Sequence, residues 1–281
     1  MDLTNIKGKL SVITGGSSGI GYSIAQRIAE KGGDLLLVAR NENKLSDAAA
    51  KLSKISSSEV QVVSADVTNA DDINRLKETV SSLAPCADIV VNSAGTTSGG
   101  FVDEIPISEW NRLYNLNVIG LVQVIQALVP PMRNQSRQDG QERHIVNISS
   151  ASGVVGVPGT PAYGATKAAV NSLSESLRIQ LQPYKIGVTA VCPSFVNTPL
   201  SKTLQLFGSM DDPKIHKMIQ ERVTTGGLTP EEVANSTIEA ISKNKGMIMV
   251  GRDIRRAYLI KRIAPALLSR IMSKRIKAYI E

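Results

Sequence analysis

In Tyr163-Gly164-Ala165-Thr166-Lys167, residue type, spacing and expected local structure point to the same chemistry. Residues four apart share a helix face, so on a helix the Lys167 ammonium stands beside the Tyr163 phenol. A free tyrosine has a pKa of about 10. A fixed cation nearby favours the phenolate and lowers that value toward the range where a group both gives and takes a proton near neutrality. Tyr163 is therefore expected to be the proton donor and acceptor, and Lys167 the group that tunes it. Taken alone, the pair is an ordinary feature of a solvated helix, so the weight rests on what surrounds it in the chain.

A second chemical element is the glycine-rich turn Thr14-Gly15-Gly16-Ser17-Ser18-Gly19-Ile20-Gly21. It lies between an apolar run at residues 10–14 and a helical pattern at 20–29 carried by Ile20, Ile24, Ala25, Ile28 and Ala29. Glycines there permit positive φ and let the backbone approach a pyrophosphate, whose charge meets the amides and dipole of the helix N-terminus. Strand, glycine turn and helix in that order predict a dinucleotide site, with Gly15, Ser17, Ser18, Gly19, Ile20 and Gly21 at the phosphates.

The next apolar run, 34–39, ends at Ala39-Arg40. In dinucleotide folds an acid at this strand end selects NAD, and a cation selects the 2′-phosphate of NADP. Ala39 fills the acidic slot, so Arg40 with Lys44 predicts NADP(H). Asp66, followed by Val67 after the run 60–65, either accepts from an adenine amino group or caps the helix beginning near Asn69. The run 87–91 leads into another turn of small residues, Asn92-Ser93-Ala94-Gly95, at the same sheet edge.

A helix is expected over 107–132, with Asn117 inside Leu116-Asn117-Val118-Ile119-Gly120. Asn followed by Gly is unfavourable in mid-helix, so Asn117 either satisfies a buried backbone group or serves a site. Residues 133–143 are polar and read as a surface loop. A strand at 144–149 runs into Ser149-Ser150, and another at 187–192 is closed by Pro193-Ser194-Phe195-Val196-Asn197-Thr198-Pro199. Residues 200–227 loosen into short amphipathic pieces, which is where a substrate lid would sit. A helix begins at Thr229-Pro230-Glu231-Glu232, and a last strand spans 246–250. The alternation predicts an α/β fold: a doubly wound, Rossmann-type parallel sheet with helices on both faces. It forms a single domain at 1–251, followed by a basic amphipathic extension at 252–281.

Composition removes several classes of function. The 281 residues include 42% hydrophobic ones, ample for a core. Two cysteines (Cys86, Cys192) and two histidines (His144, His216), with no Cys-x-x-Cys pair, predict neither a metal site nor a disulfide and fit a reducing, cytoplasmic setting. The N-terminal residues lack the apolar run of a signal peptide. The most apolar stretch, 116–132, is interrupted by Asn117, Gln123 and Gln126 and ends in Pro130-Pro131, which suits a buried helix rather than a membrane span.

The net charge of +7 is concentrated in one place. Residues 252–281 carry nine Lys and Arg against Asp253 and Glu281, which leaves equal numbers of acids and bases in the rest. Nothing in that neutral body reads as a nucleic-acid surface. Within the tail, Ile254, Tyr258, Leu267, Leu268, Ile271, Met272, Ile276, Tyr279 and Ile280 recur at near-helical spacing, and Pro265 can begin a second helix. Such a segment lies on an anionic membrane, each nearby cation contributing about 1 kcal/mol, or it covers the cleft or packs on a neighbouring subunit.

The ordered set of the 14–21 turn, Asp66, Asn92-Ser93-Ala94-Gly95, Asn117, Ser150, Tyr163 and Lys167 resembles the short-chain dehydrogenase/reductase superfamily over residues 7–250. The family's usual Asn-Asn-Ala-Gly reads Asn92-Ser93-Ala94-Gly95 here, and its Pro-Gly reads Pro193-Ser194. The resemblance implies a catalytic tetrad of Asn117, Ser150, Tyr163 and Lys167. Ser150 polarises a substrate carbonyl, Tyr163 gives its oxygen a proton, Lys167 bonds the nicotinamide ribose, and Asn117 holds a water that relays protons. It also implies cofactor contacts from Asn92, Ala94, Gly95, Pro193, Val196 and Thr198, and assembly as a homodimer or homotetramer. The expected activity is interconversion of a hydrophobic ketone and a secondary alcohol. The sequence Leu37 to Leu45 together with the basic tail is similar to 3-ketodihydrosphingosine reductases and related lipid ketone reductases. Steroid, 3-ketoacyl and xenobiotic carbonyls stay open as substrates, as does a silent nucleotide-binding scaffold.

Overall fold

The computed structural model describes residues 1–4, 6–55 and 59–280. Short apolar runs bounded by glycine and polar residues form the strands Leu10–Thr14 (β1), Asp34–Ala39 (β2), Val60–Ser64 (β3), Ile89–Asn92 (β4), Arg143–Ile148 (β6), Ile186–Pro193 (β7) and Met247–Val250 (β9). All pair in parallel in one sheet of order β3-β2-β1-β4-β6-β7-β9. The order reverses between β1 and β4, which opens a crevice at their carboxyl ends where ligands bind in such sheets.

Alternation along the strands sorts side chains onto two faces. On β2, Leu36 and Val38 join one core while Leu35 and Leu37 join the other. The first core is closed by Ala70–Leu83 (α3), Leu121–Asp139 (α5) and Pro161–Leu181 (α6). The second is closed by Gly19–Ala29 (α1), Glu42–Leu52 (α2) and Pro230–Ser242 (α9). The doubly wound parallel sheet expected from the sequence is the observed fold.

Three elements differ from expectation. The polar stretch 133–143 is mostly helical: α5 runs on to Asp139, with Met132 and Ser136 buried and the polar residues turned outward. Asn115–Gly120 is a π turn between Ile107–Tyr114 (α4) and α5. A two-residue parallel pair, Ser98–Gly99 (β5) and Gln205–Leu206 (β8), ties the looser segment to the body. That segment contains Pro199–Lys202 (α7) and Pro213–Gly226 (α8). The run Ile107–Asp139 is long and apolar enough to cross a membrane by those criteria alone. Leu121, Val124, Leu128 and Met132 on it are buried in the core.

The tail forms Arg252–Ile263 (α10) and Pro265–Ile280 (α11). Ile254 and Leu268 are buried against Val154, Val155 and Cys192, so the inner face of the extension is packed onto the body.

Candidate active site

The glycine turn owes its shape to two close approaches. Gly15 has φ 66°, and a Cβ there would lie 2.8 Å from the Ser93 carbonyl oxygen. A Cβ on Gly21 would lie 2.5 Å from the Gly15 carbonyl oxygen, so Gly21 lets α1 pack onto its own turn. Ser18 makes no side-chain cap, and among the described residues no side chain accepts from the first-turn N–H groups of α1. Thr14 Oγ1 accepts from the N–H groups of Ser93 (3.1 Å) and Ala94 (3.2 Å), locking the turns after β1 and β4 together.

Gly15, Ser17, Ser18, Gly19, Ile20, Arg40, Lys44, Asp66, Val67, Ala94, Gly95, Ser150, Tyr163, Lys167, Pro193, Val196 and Thr198 line one cavity of ≈ 890 Å³. Three expected site residues do not. Gly21 is packed as described, and Asn92 is buried, donating from Nδ2 to Asn147 Oδ1 at 2.8 Å inside the sheet. Asn117 is also buried and works through neighbours. Its Oδ1 accepts from Thr96 N (2.8 Å), and its Nδ2 donates to Thr96 O (3.0 Å) and Thr166 Oγ1 (3.1 Å). The π turn aims this side chain, so Asn117 satisfies the half-buried backbone of Thr96 while standing against the site. Thr96 and Thr166, which form its clamp, were not singled out from the sequence; the position of Thr166 directly before Lys167 was the available signal.

Asp66 is no helix cap. It accepts from Thr68 N and Oγ1 at 2.9 and 2.7 Å, while Asn69 caps α3. Asp66 Oδ2 lies 3.8 Å from Arg40 Nη1 at the outer end of the cavity.

At the centre, Ser149 donates to the Lys167 carbonyl oxygen (3.0 Å) and so braces the helix, whereas Ser150 lines the cavity beside Tyr163 and favours its ionised form. Lys167 Nζ donates to Ile148 O at 2.9 Å and lies 5.7 Å from the Tyr163 ring centroid. Burial governs the titration of both groups. Desolvation pushes the Tyr163 phenol up to about 12, only partly offset by Ser150, and lowers the Lys167 ammonium to about 8. The tyrosine shift runs opposite to the lowering expected from Tyr-Lys spacing. Taking the phenolate out of water is the largest cause, and burial also disfavours the charge on the neighbouring ammonium. Near neutrality the phenol holds its proton, which makes it ready as an acid.

The charged side chains on the cavity wall are Arg40, Lys44 and Asp66 at the strand-2 end and Lys167 at the centre. Beyond Tyr163 the wall includes Val157, Leu204, Leu206, Met210, Ile219 and Val223, with no further charge among the described residues.

A model of the short chain dehydrogenase family matches residues 9–207. An uncharacterized oxidoreductase of Staphylococcus epidermidis is 34% identical over 200 residues, covering 71% of this chain and 83% of that relative. A short chain dehydrogenase/reductase from Burkholderia phymatum in complex with NAD superposes with TM-score 0.83 at 27% identity, over 94% of this chain and 96% of that one. L-sorbose reductase from Gluconobacter frateurii, complexed with NADPH and L-sorbose, gives TM-score 0.76 at 30% identity, over 89% and 98%. Sheet order, cavity and matched residues converge on one conclusion: the chain belongs to the short chain dehydrogenase family of oxidoreductases.

Proposed function

We propose that the protein is an NADP(H)-dependent reductase that interconverts a neutral, hydrophobic or lipid-like ketone and its secondary alcohol. The observation that carries this reading is the division of the cavity: a charged end at Arg40 and Lys44, Ser150 with Tyr163 and Lys167 in the middle, and an uncharged apolar end beyond them. The residues present fit a dinucleotide. The uncapped first turn of α1 suits a pyrophosphate, and Arg40 is 73% exposed with only a long contact to Asp66, leaving its guanidinium available to a 2′-phosphate.

A nicotinamide bound here would supply the hydride. The chain supplies the rest: Ser150 donates a hydrogen bond to the carbonyl oxygen, and the protonated Tyr163 gives that oxygen its proton. Lys167, anchored on Ile148 O, would hold the cofactor's ribose and bring positive charge toward the phenol oxygen as it loses its proton. Asn117, fixed by Thr96 and Thr166 against the site, would hold the water that relays protons to Lys167. Exposed Ile107, Tyr114 and Ile119 along one helical run, with Ile179 on α6, offer the surface for a homodimer or homotetramer.

The apolar end is tested by NADPH consumption with paired ketones of equal length, one ending in methyl and one in carboxylate. The methyl-ended ketone should have the larger kcat/KM by roughly tenfold or more, since an unpaired carboxylate there is desolvated without a partner. A preference for the carboxylate would remove the substrate assignment.

A further inference from the structure

The outer face of the C-terminal helix pair is unaccounted for by the site. At 100° per residue, Ile254, Ala257, Tyr258 and Lys261 lie on the side of α10 that faces the body. Ile254 is buried there, and Lys261 donates from Nζ to Val154 O at 2.6 Å. The opposite side gathers Arg252, Arg256, Leu259 and Ile263. Leu259 is 58% exposed, Ile263 75% and, just past the elbow at Ala264-Pro265, Leu267 50%. Among the described residues, no Lys or Arg between 252 and 274 forms an ion pair.

We propose that this elbow is a docking surface for an anionic lipid bilayer: Leu259, Ile263 and Leu267 enter the interface, while Arg252, Arg256 and Arg270 meet lipid phosphates. Charge complementarity selects a bilayer over a second copy of the chain. Two copies meeting here would bring together two sets of cations, with Asp253 as the lone acid on α10 and that acid already engaged by Ser194. A bilayer offers apolar depth and negative charge at once. The inner face packs on Val154, Val155 and Val157, and Val157 also lines the cavity. Docking therefore sets one wall of the apolar end close to the lipid. The surface stands on the tail's own geometry; only delivery of a lipid-like substrate rests on the reductase reading.

The test is co-sedimentation of the full chain with phosphatidylcholine vesicles, with and without phosphatidylserine. Wild type should bind the anionic vesicles selectively and be released at about 1 M salt, where the Debye length falls to ~3 Å. Leu259→Ser combined with Ile263→Ser alters exposed positions only and should weaken binding at least about tenfold with an unchanged melting temperature. Arg256→Glu with Arg270→Glu should do the same. No selective binding by wild type, or binding unaffected by either pair, overturns the proposal. So does a wild-type dimer that the serine pair dissociates without any vesicle binding, which would make a second copy the occupant. Because no readout is turnover, failure here is separable from failure of the reductase reading.

Discussion

Replacing Arg40 by alanine should cost affinity for NADPH and leave NADH nearly untouched, because the two differ only in the 2′-phosphate. A charge-assisted hydrogen bond contributes about 1.5–3 kcal/mol. The Arg40 side chain is 73% exposed, so solvent screening places it at the lower end, ~1.5 kcal/mol, or roughly tenfold in Kd. A second effect has the same sign. Asp66 Oδ2 lies 3.8 Å from the guanidinium, and once Arg40 is gone its carboxylate leaves that end of the cavity more negative toward a phosphate. Lys44, on the same wall, limits the loss, so Arg40→Ala with Lys44→Ala should exceed the single variant. Titrating nicotinamide fluorescence with each cofactor gives both constants without any substrate. Equal losses for NADPH and NADH, or tighter NADH binding by wild type, would refute the assignment of this end of the cavity.

Two further outcomes concern the scaffold. His144 is buried, and its Nε2 lies 2.8 Å from Thr189 Oγ1, whose own proton goes to Lys245 O at 2.6 Å, so Nε2 donates. Burial lowers its pKa to about 3, so the unfolded chain takes up a proton near pH 6.5 that the folded chain refuses. Stability should fall as pH drops from about 6.5 toward 3, and His144→Gln should flatten that slope in urea titrations. Asn117→Ala removes three hydrogen bonds from a buried side chain and strands Thr96 N–H, which should cost about 1–3 kcal/mol in denaturant and lower turnover more than it alters NADPH affinity.

Much of the architecture was legible because strands buried on both faces read as short apolar runs, and glycine marks the turns after β1 and β4 that meet the cleft. Polar residues misled where their partners were distant. Residues 133–139 look like a loop, yet Met132 and Ser136 continue the buried stripe, and Asp139 is held by Arg143 at 2.7 Å. The π turn at Asn117 and the two-residue β5–β8 pair carry too little local pattern to be seen. In the site, residue types were readable but electrostatics were not. Spacing places a cation near Tyr163, and only the folded chain reveals that desolvation sets the direction of the shift. Asn92 and Gly21 belong to the right motifs and act through packing, a difference that appears once neighbouring strands are in place.

Tyr163 is proposed as the acid of a nicotinamide-dependent ketone reduction. Single-turnover reduction of a neutral ketone by NADPH, with wild type and Tyr163→Phe compared across pH, tests it most directly. Losing the phenolic proton should slow the chemical step by about 10²–10⁴ while NADPH affinity changes little. The wild-type rate should decline only as pH rises above about 8, where Lys167 loses its charge, since the phenol keeps its proton to about 12. A phenylalanine variant that keeps most of the wild-type rate would contradict the assignment.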